Sequence, residues 1–321
     1  MKISVIIPTF NRREKIVGAI DSVLSQVGVE LEVIVVDDGS SDGTKSWLEQ
    51  AYGGQGLLVL CNKRCKGPAG ARNTGILAAT GELIAFLDSD DFYLPGHLQE
   101  AHELLRSDAE IGLVFGRSRY ECNAEVVEYM GPNFEKKLDR APTVLQTEQY
   151  RKFSADYTDH LLEYGCYFSL CTVVMRAGDA AELMKEELRV AEDYEFWVRL
   201  SRTRRFACLH RQQSCSVLHD GNISFETQTS AAQHAPSQLA AYEFMLSYPA
   251  LTPKQVALIK NKMAEVLFNW GYRCRLRQEW REAARLHWRA LHFGLVGTNM
   301  AALLKLPLVA VLRNWRRPDV N

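Results

Sequence analysis

Asp88-Ser89-Asp90-Asp91 follows directly on an apolar, strand-like run, Leu83-Ile84-Ala85-Phe86-Leu87. An Asp-x-Asp at a strand end sets two carboxylates on one side, so that one can take a metal ion while the other reaches elsewhere. Crowded carboxylates repel one another and call for a cation. A hard divalent ion such as Mg²⁺ or Mn²⁺ takes one or two of them and fills its other positions with phosphate oxygens. A second acidic turn, Asp37-Asp38-Gly39-Ser40-Ser41-Asp42-Gly43-Thr44, closes another strand-like run, and Glu192-Asp193 opens a helical stretch. Both have a plainer reading: Asp, Ser and Gly form turns and N-caps, and acidic groups suit a helix start whether or not they catalyse anything.

Short β-branched runs at Lys2–Pro8, Leu31–Asp37, Gly56–Leu60 and Glu82–Asp88 alternate with helical spacing over Arg12–Gln26, Gly43–Tyr52, Ala69–Ala79 and His97–Arg106. Strand–helix–strand units of this length predict a parallel sheet covered by helices, with ligands outside the carboxyl ends of its strands. The segments at those ends are Pro8-Thr9-Phe10-Asn11-Arg12, the two acidic turns, and Gly67-Pro68-Ala69-Gly70-Ala71-Arg72-Asn73 at the start of the third helix. Neither GxGxxG after the first strand nor GxxxxGK[ST] occurs, which removes the main support for dinucleotide and Walker-type sites. Further on, Ile111–Arg119 and Val126–Met130 suit a hairpin or an antiparallel edge, and 131–165 reads as irregular and aromatic-rich. Strands are expected at Ser169–Arg176, Phe206–His210 and Ser214–His219, with a loop over Asp220–Ser237 before a helical C-terminal part.

The 321 residues carry 38 basic and 39 acidic groups, a net charge of −1 that excludes a generally basic nucleic-acid binder. From Lys254 onward there are 13 basic against 4 acidic residues, net +9, leaving 25 against 35, net −10, before it. The eight cysteines lack paired CxxC spacing, so reduced, buried thiols are expected. Met1-Lys2 leads straight into Ile3-Ser4-Val5-Ile6-Ile7 without a secretory leader, and the expectation is a cytoplasmic chain.

Five segments together resemble the family 2 glycosyltransferases of the GT-A fold: Ser4-Val5-Ile6-Ile7-Pro8-Thr9-Phe10-Asn11, Val36-Asp37-Asp38-Gly39-Ser40-Ser41-Asp42, Ala71-Arg72-Asn73-Thr74-Gly75, Leu87-Asp88-Ser89-Asp90-Asp91 and Ala191-Glu192-Asp193-Tyr194-Glu195-Phe196-Trp197. The resemblance implies an α/β, Rossmann-like, mostly parallel central sheet flanked by helices, with a C-terminal helical extension. It covers about 1–225 as a catalytic domain, with a nucleotide-sugar half over about 1–120 and an acceptor half over about 121–225; 226–321 is the helical region.

By the same resemblance, Pro8, Thr9, Phe10 and Arg12 wall the nucleoside and Asp38 accepts a hydrogen bond from the base, usually uracil. Arg72 lies near base and phosphates, Asp88 and Ser89 face the ribose or sugar, and Asp90 binds Mn²⁺ or Mg²⁺ with the diphosphate. His219 is a further candidate metal ligand, with a structural or surface role as its alternative. Asp193 is the expected general base of an inverting single displacement onto a hydroxyl of a saccharide or polyprenyl-linked acceptor. The donor is a nucleotide sugar, with a UDP-sugar favoured. A sugar-nucleotide pyrophosphorylase and a non-catalytic nucleotide-sugar-binding adaptor are the alternatives; Pro8-Thr9-Phe10-Asn11 stands where the former has a Gly-rich loop.

In the C-terminal part, Arg273, Arg277, Arg281, Arg285 and Arg289 recur every four residues beside Leu276, Trp280, Ala284, Trp288 and Leu291, which predicts an amphipathic helix with a basic face. Either this region packs as a helical subdomain, or 273–317 contacts an anionic membrane at the inner face of the cell. Gly271-Tyr272 and Ala283-Ala284 also resemble one helix pair of a tetratricopeptide repeat.

Overall fold

The computed structural model describes residues 1–54, 56–123, 125–127, 131–219, 230–294 and 296–306. The chain forms two compact units, 1–222 and 223–321.

The first unit opens with the expected alternation: β1 (Lys2–Thr9), α1 (Ile16–Leu24), β2 (Glu30–Asp37), α2 (Thr44–Tyr52), β3 (Leu57–Cys61), α3 (Pro68–Ala78) and β4 (Leu83–Phe86). It continues through β5 (Phe92–Tyr93), α4 (His97–Ser107), β6 (Ile111–Cys122), β7 (Glu125–Val126), α5 (Gly131–Leu138), β8 (Thr143–Gln146), β9 (Tyr150–Phe153) and α6 (Tyr157–Tyr164). A 3₁₀ turn at Leu170–Thr172 leads into β10 (Val174–Arg176), followed by α7 (Glu192–Ser201) and β11 (Arg205–Leu218). All but β5 and β7 lie in one sheet path of order β3-β2-β1-β4-β10-β6-β11-β9-β8. The first four strands of that path are parallel. β10 runs antiparallel between β4 and β6, and β6 pairs parallel with β11.

The chain crosses this sheet as hydrophobicity dictates. Ile3, Val5, Ile6 and Ile7 of β1 and Leu83 and Phe86 of β4 are wholly buried, as expected of parallel strands covered on both faces. α3 lies close on β1, since a Cβ at Gly75 would stand 2.5 Å from the Ile6 side chain. β1 therefore holds its neighbours rigidly, and with them the turns that follow each strand.

Several sequence expectations are corrected. The region 131–165 contains two helices and two strands; most of its aromatic rings build a core, with Phe115, Phe153 and Tyr157 stacked and Tyr167 and Phe168 buried against them. The two strands expected at 206–219 are one, β11; two of its three register shifts against β6 lie between Leu209 and Ser214, where the polar residues interrupt its hydrophobic pattern. The thiols are all free, but Cys61 and Cys65 are exposed.

The second unit contains α8 (Ser230–Leu246), α9 (Pro253–Leu276), α10 (Trp280–Ala290) and α11 (Val296–Leu304). α8 replaces the C-terminal end of the expected 220–237 loop, whose residues 220–229 lie outside the description. The expected basic helix spanning Arg273 to Leu291 is two helices joined at Arg277–Glu279, where Gln278 adopts φ 63°. The four-residue arginine period runs across that turn, so it does not describe one face. The stripe that packs is Ala283, Leu286, His287 and Ala290, while Leu276 and Trp288, assigned to the apolar stripe, are exposed. Among the described residues no helix is long and apolar enough to cross a membrane.

Candidate active site

The strand ladders continue into the acidic turns. Asp38 N–H donates to the Thr9 carbonyl at 2.8 Å, Asn62 N–H to Asp37 at 2.8 Å, and Leu87 N–H to Ile6 at 3.1 Å. These bonds set the loops after β1, β2, β3 and β4 side by side on the carboxyl rim of the sheet.

One group of side chains surrounds Asp38. Its carboxylate accepts from Asn62 Nδ2 at 2.6 Å and from the Gly67 N–H at 2.9 Å. Gly67 has φ 127°, a conformation that favours glycine, and it begins α3 with its N–H turned to Asp38. Nearby in sequence, Lys66 Nζ stands 4.3 Å above the Phe10 ring, which is exposed. Pro8 is half-buried, whereas Thr9 is buried with its hydroxyl unpartnered. No sequence motif marks Asn62 or Lys66, and the Gly67 segment at the start of the third helix does not by itself reveal its bond to Asp38; only the fold brings these residues to Asp38 and Phe10.

A second group gathers around Arg72, whose guanidinium is buried in α3. It donates to Asp88 Oδ1 at 2.8 Å and to Glu192 Oε1 at 2.7 Å, tying the turn after β4 to the start of α7. Asp193 lies beside this pair; its Oδ1 accepts the Tyr194 N–H at 2.7 Å. Burial pushes the Glu192 carboxyl up to about 7 and raises the Asp193 carboxyl from its ordinary value, in both cases against the pull of Arg72. One guanidinium thus faces three carboxyl groups, which favours retention of a proton among them. The plainer role is met in part: Glu192, Asp193 and Glu195 all lie in the first turn of α7, where they suit the helix dipole, but the N-cap is Ala191, at φ 66° and with no side-chain cap bond, and Glu192 also turns to Arg72. A non-glycine residue held in that left-handed region costs about 1–2 kcal/mol and marks an over-determined position.

A third group lies where β11 ends. His219 Nε2 is 2.9 Å from Asp90 Oδ2, and Arg12 Nη1 approaches both, at 3.3 and 3.4 Å respectively. Asp90 and His219 offer one carboxylate oxygen and one imidazole nitrogen at a half-open rim, a donor set that fits Mn²⁺. Ser89 is buried within the same turn. Asp88, Asp91 and Cys171 also present potential ligand atoms within 4.8 Å of one another. That cluster fits a hard ion less well. Burial pushes the Cys171 thiol far up, so it stays protonated, and both Asp91 oxygens already accept hydrogen bonds. Burial, then Asp88, push Asp91 up to about 7.

The glycosyl transferase family 2 model matches residues 4–168, just over half of the chain. The chain belongs to that family. Its membership sets aside the pyrophosphorylase alternative. An uncharacterized glycosyltransferase of Nostoc sp. is 35% identical over 154 residues, 46% of either chain. The UDP-Glc:α-D-GlcNAc-diphosphoundecaprenol β-1,3-glucosyltransferase WfgD of Escherichia coli is 34% identical over 125 residues, 39% of this chain and 49% of the relative. The chain spans less than half the length of the curated relatives it matches first. Among solved structures, residues 1–349 of TarS from S. aureus in complex with UDP-GlcNAc give a TM-score of 0.68 at 18% identity, covering 95% of this chain and 88% of that one. The mannosyltransferase PcManGT of Pyrobaculum calidifontis, in complex with GDP-Man and Mn²⁺, gives 0.57 at 17% identity, covering 98% and 82%. The fold is thus GT-A, as its mixed, mostly parallel sheet with flanking helices indicates.

Proposed function

We propose that this family 2 chain is an inverting glycosyltransferase. It moves a sugar from a nucleoside-diphosphate donor, a UDP-sugar by preference, to a hydroxyl of a saccharide or lipid-linked saccharide. The observation that carries the reading is Arg72, which joins the acidic turn after β4 to Glu192 at the start of α7 and so keeps donor and base machinery in one frame. The donor preference draws support from the UDP-GlcNAc complex of TarS, and the acceptor class from the name of WfgD.

Asp38, pinned by Asn62 and Gly67, keeps lone pairs to accept a base N–H, and Phe10 offers a ring face beneath Lys66. Asp90 and His219 would hold Mn²⁺ or Mg²⁺, with Arg12 beside them to meet phosphate. Such an ion, when bound, offsets the negative charge that grows on the departing diphosphate. Asp193 takes the proton of the acceptor hydroxyl as that oxygen bonds to the anomeric carbon and the bond to the β-phosphate oxygen breaks. Its raised pKa suits a base that must hold the proton it removes. No second carboxylate nucleophile is involved, so the anomeric configuration inverts.

A cytoplasmic chain working on a lipid-linked acceptor would meet the membrane through 273–317. Exposed Trp288 and Leu276 suit that contact, although Arg285 and Arg289 are engaged by Glu282 and Glu243.

A thermal-shift panel of UDP, GDP, dTDP and CMP, each with and without Mn²⁺, tests the proposal. UDP with Mn²⁺ is expected to raise the melting temperature most, by the binding linkage, and Asp90→Ala to remove the Mn²⁺-dependent part. UDP-sugar hydrolysis that requires Mn²⁺ would exclude the adaptor reading; no shift with any nucleotide, whatever the ion, would end the proposal.

A further inference from the structure

We propose that Asp91, the last residue of the acidic turn after β4, is a positioning residue that sets His219 against Asp90. The proposal rests on the reading that Asp90 and His219 hold the divalent ion.

Asp91 is buried, at 7% exposure, and its two carboxylate oxygens accept three hydrogen bonds. Oδ1 accepts the Val217 N–H at 2.9 Å; Oδ2 accepts the Ser216 hydroxyl at 3.0 Å and the Cys171 thiol at 3.2 Å. Cys171 in turn takes the Asp88 N–H at 3.4 Å, so the thiol links the first and last aspartates of the same turn.

The topology explains what those bonds do. β5 starts at Phe92, immediately after Asp91, and pairs antiparallel with β11 through Cys215↔Phe92 and Ser214↔Tyr93. The ladder would need one more rung, and the Asp91 side chain supplies it by taking the Val217 N–H in place of a backbone carbonyl. On its other side, Val217 pairs with Glu121 of β6. The end of β11 is thus held from both sides, and His219 lies two residues beyond Val217 while Asp90 immediately precedes Asp91. Fixing Asp91 on Val217 fixes Asp90 opposite His219, at the observed 2.9 Å. A carboxylate is needed because it offers acceptors on both oxygens; an amide offers one oxygen, and its NH₂ meets a donor.

The test is Mn²⁺ titration of the full chain in the presence of UDP, followed by electron paramagnetic resonance. Pulsed measurement of the nitrogen coupling from a coordinated imidazole accompanies it. His219→Ala must abolish that coupling in the otherwise native protein; if the coupling is absent or insensitive to His219, the underlying reading of the metal site fails. With it established, Asp91→Asn is expected to weaken Mn²⁺ binding 10–100-fold, the usual effect of losing an outer-shell partner, and to diminish the nitrogen coupling. Uridine binding without metal stays unchanged. Ser216→Ala, which removes one donor and leaves the backbone bond, is expected to shift both readouts in the same direction by less. It also decides the matter if Asp91→Asn fails to fold. Unchanged Mn²⁺ affinity in the folded variants overturns the proposal. So does weaker Mn²⁺ binding with full nitrogen coupling, because Asp91 would then be a ligand itself.

Discussion

Asp193→Asn is expected to lower kcat by about 10³-fold, within the 10²–10⁴ range for loss of a general base, and to leave UDP affinity intact. Asn keeps an oxygen for the Tyr194 N–H, so the first turn of α7 survives and the change isolates proton transfer. Stability gives a second readout with a definite sign. Burial raises the Asp193 carboxyl above its unfolded value, so the folded state binds more protons than the unfolded chain across that window. Folding stability from this group therefore falls as pH rises from the unfolded carboxylate value through the raised one. The amide has no such dependence. Urea midpoints should favour the variant by more at pH 8 than at pH 5, while its turnover is lower at both. The acid limb of kcat for the native protein should be shifted upward from that of an ordinary aspartate, since only the ionised base accepts a proton. A variant with native turnover would remove Asp193 from the mechanism.

The first half of the fold was readable because short apolar runs bounded by turns alternate with longer helical stretches from β1 to β4. Runs such as Ile3–Ile7 and Leu83–Phe86 are too short for buried helices and are bounded by turns, and α1 buries Ile16, Ala19, Ile20 and Val23 at helical spacing. Residues 131–165 were opaque for a physical reason. Phe153 and Tyr157 are buried by tertiary stacking on Phe115, which local periodicity does not report. The C-terminal arginine pattern misled in the opposite way, by continuing a local period across the turn at Gln278. In the candidate site, the acidic motifs were legible because several carboxylates crowded on one rim of a sheet repel one another and call for a cation. Asn62, Lys66 and the Asp91 clamp were not, as their partners are remote in sequence: Asp91 reaches Cys171, Ser216 and Val217. Types and spacing located the charges; only pairing located what holds them.

Arg72→Met is expected to be the most destabilising substitution in the site. The native guanidinium is buried and bonded to two carboxylates, so removing it leaves Glu192 buried without its counter-charge. Breaking a buried pair from one side costs about 3–5 kcal/mol, and methionine fills the volume well enough that the loss is electrostatic. The pH dependence identifies it as such. Without Arg72, burial and Asp193 hold the Glu192 proton more firmly still, so the folded variant exceeds the unfolded chain in bound protons over a wider range. Its stability deficit against the native protein therefore grows with rising pH and shrinks as Glu192 is neutralised; urea midpoints at pH 5 and 8 measure it. Arg72→Lys separates charge from geometry. A lysine restores one positive charge but not the planar fork that reaches Asp88 and Glu192 at once. Stability should return in large part, whereas kcat should remain at least tenfold low, because the acidic turn and the start of α7 would no longer share one rigid donor. Equal recovery of both by lysine would mean that Arg72 supplies charge alone, and that the frame between donor and base is set elsewhere.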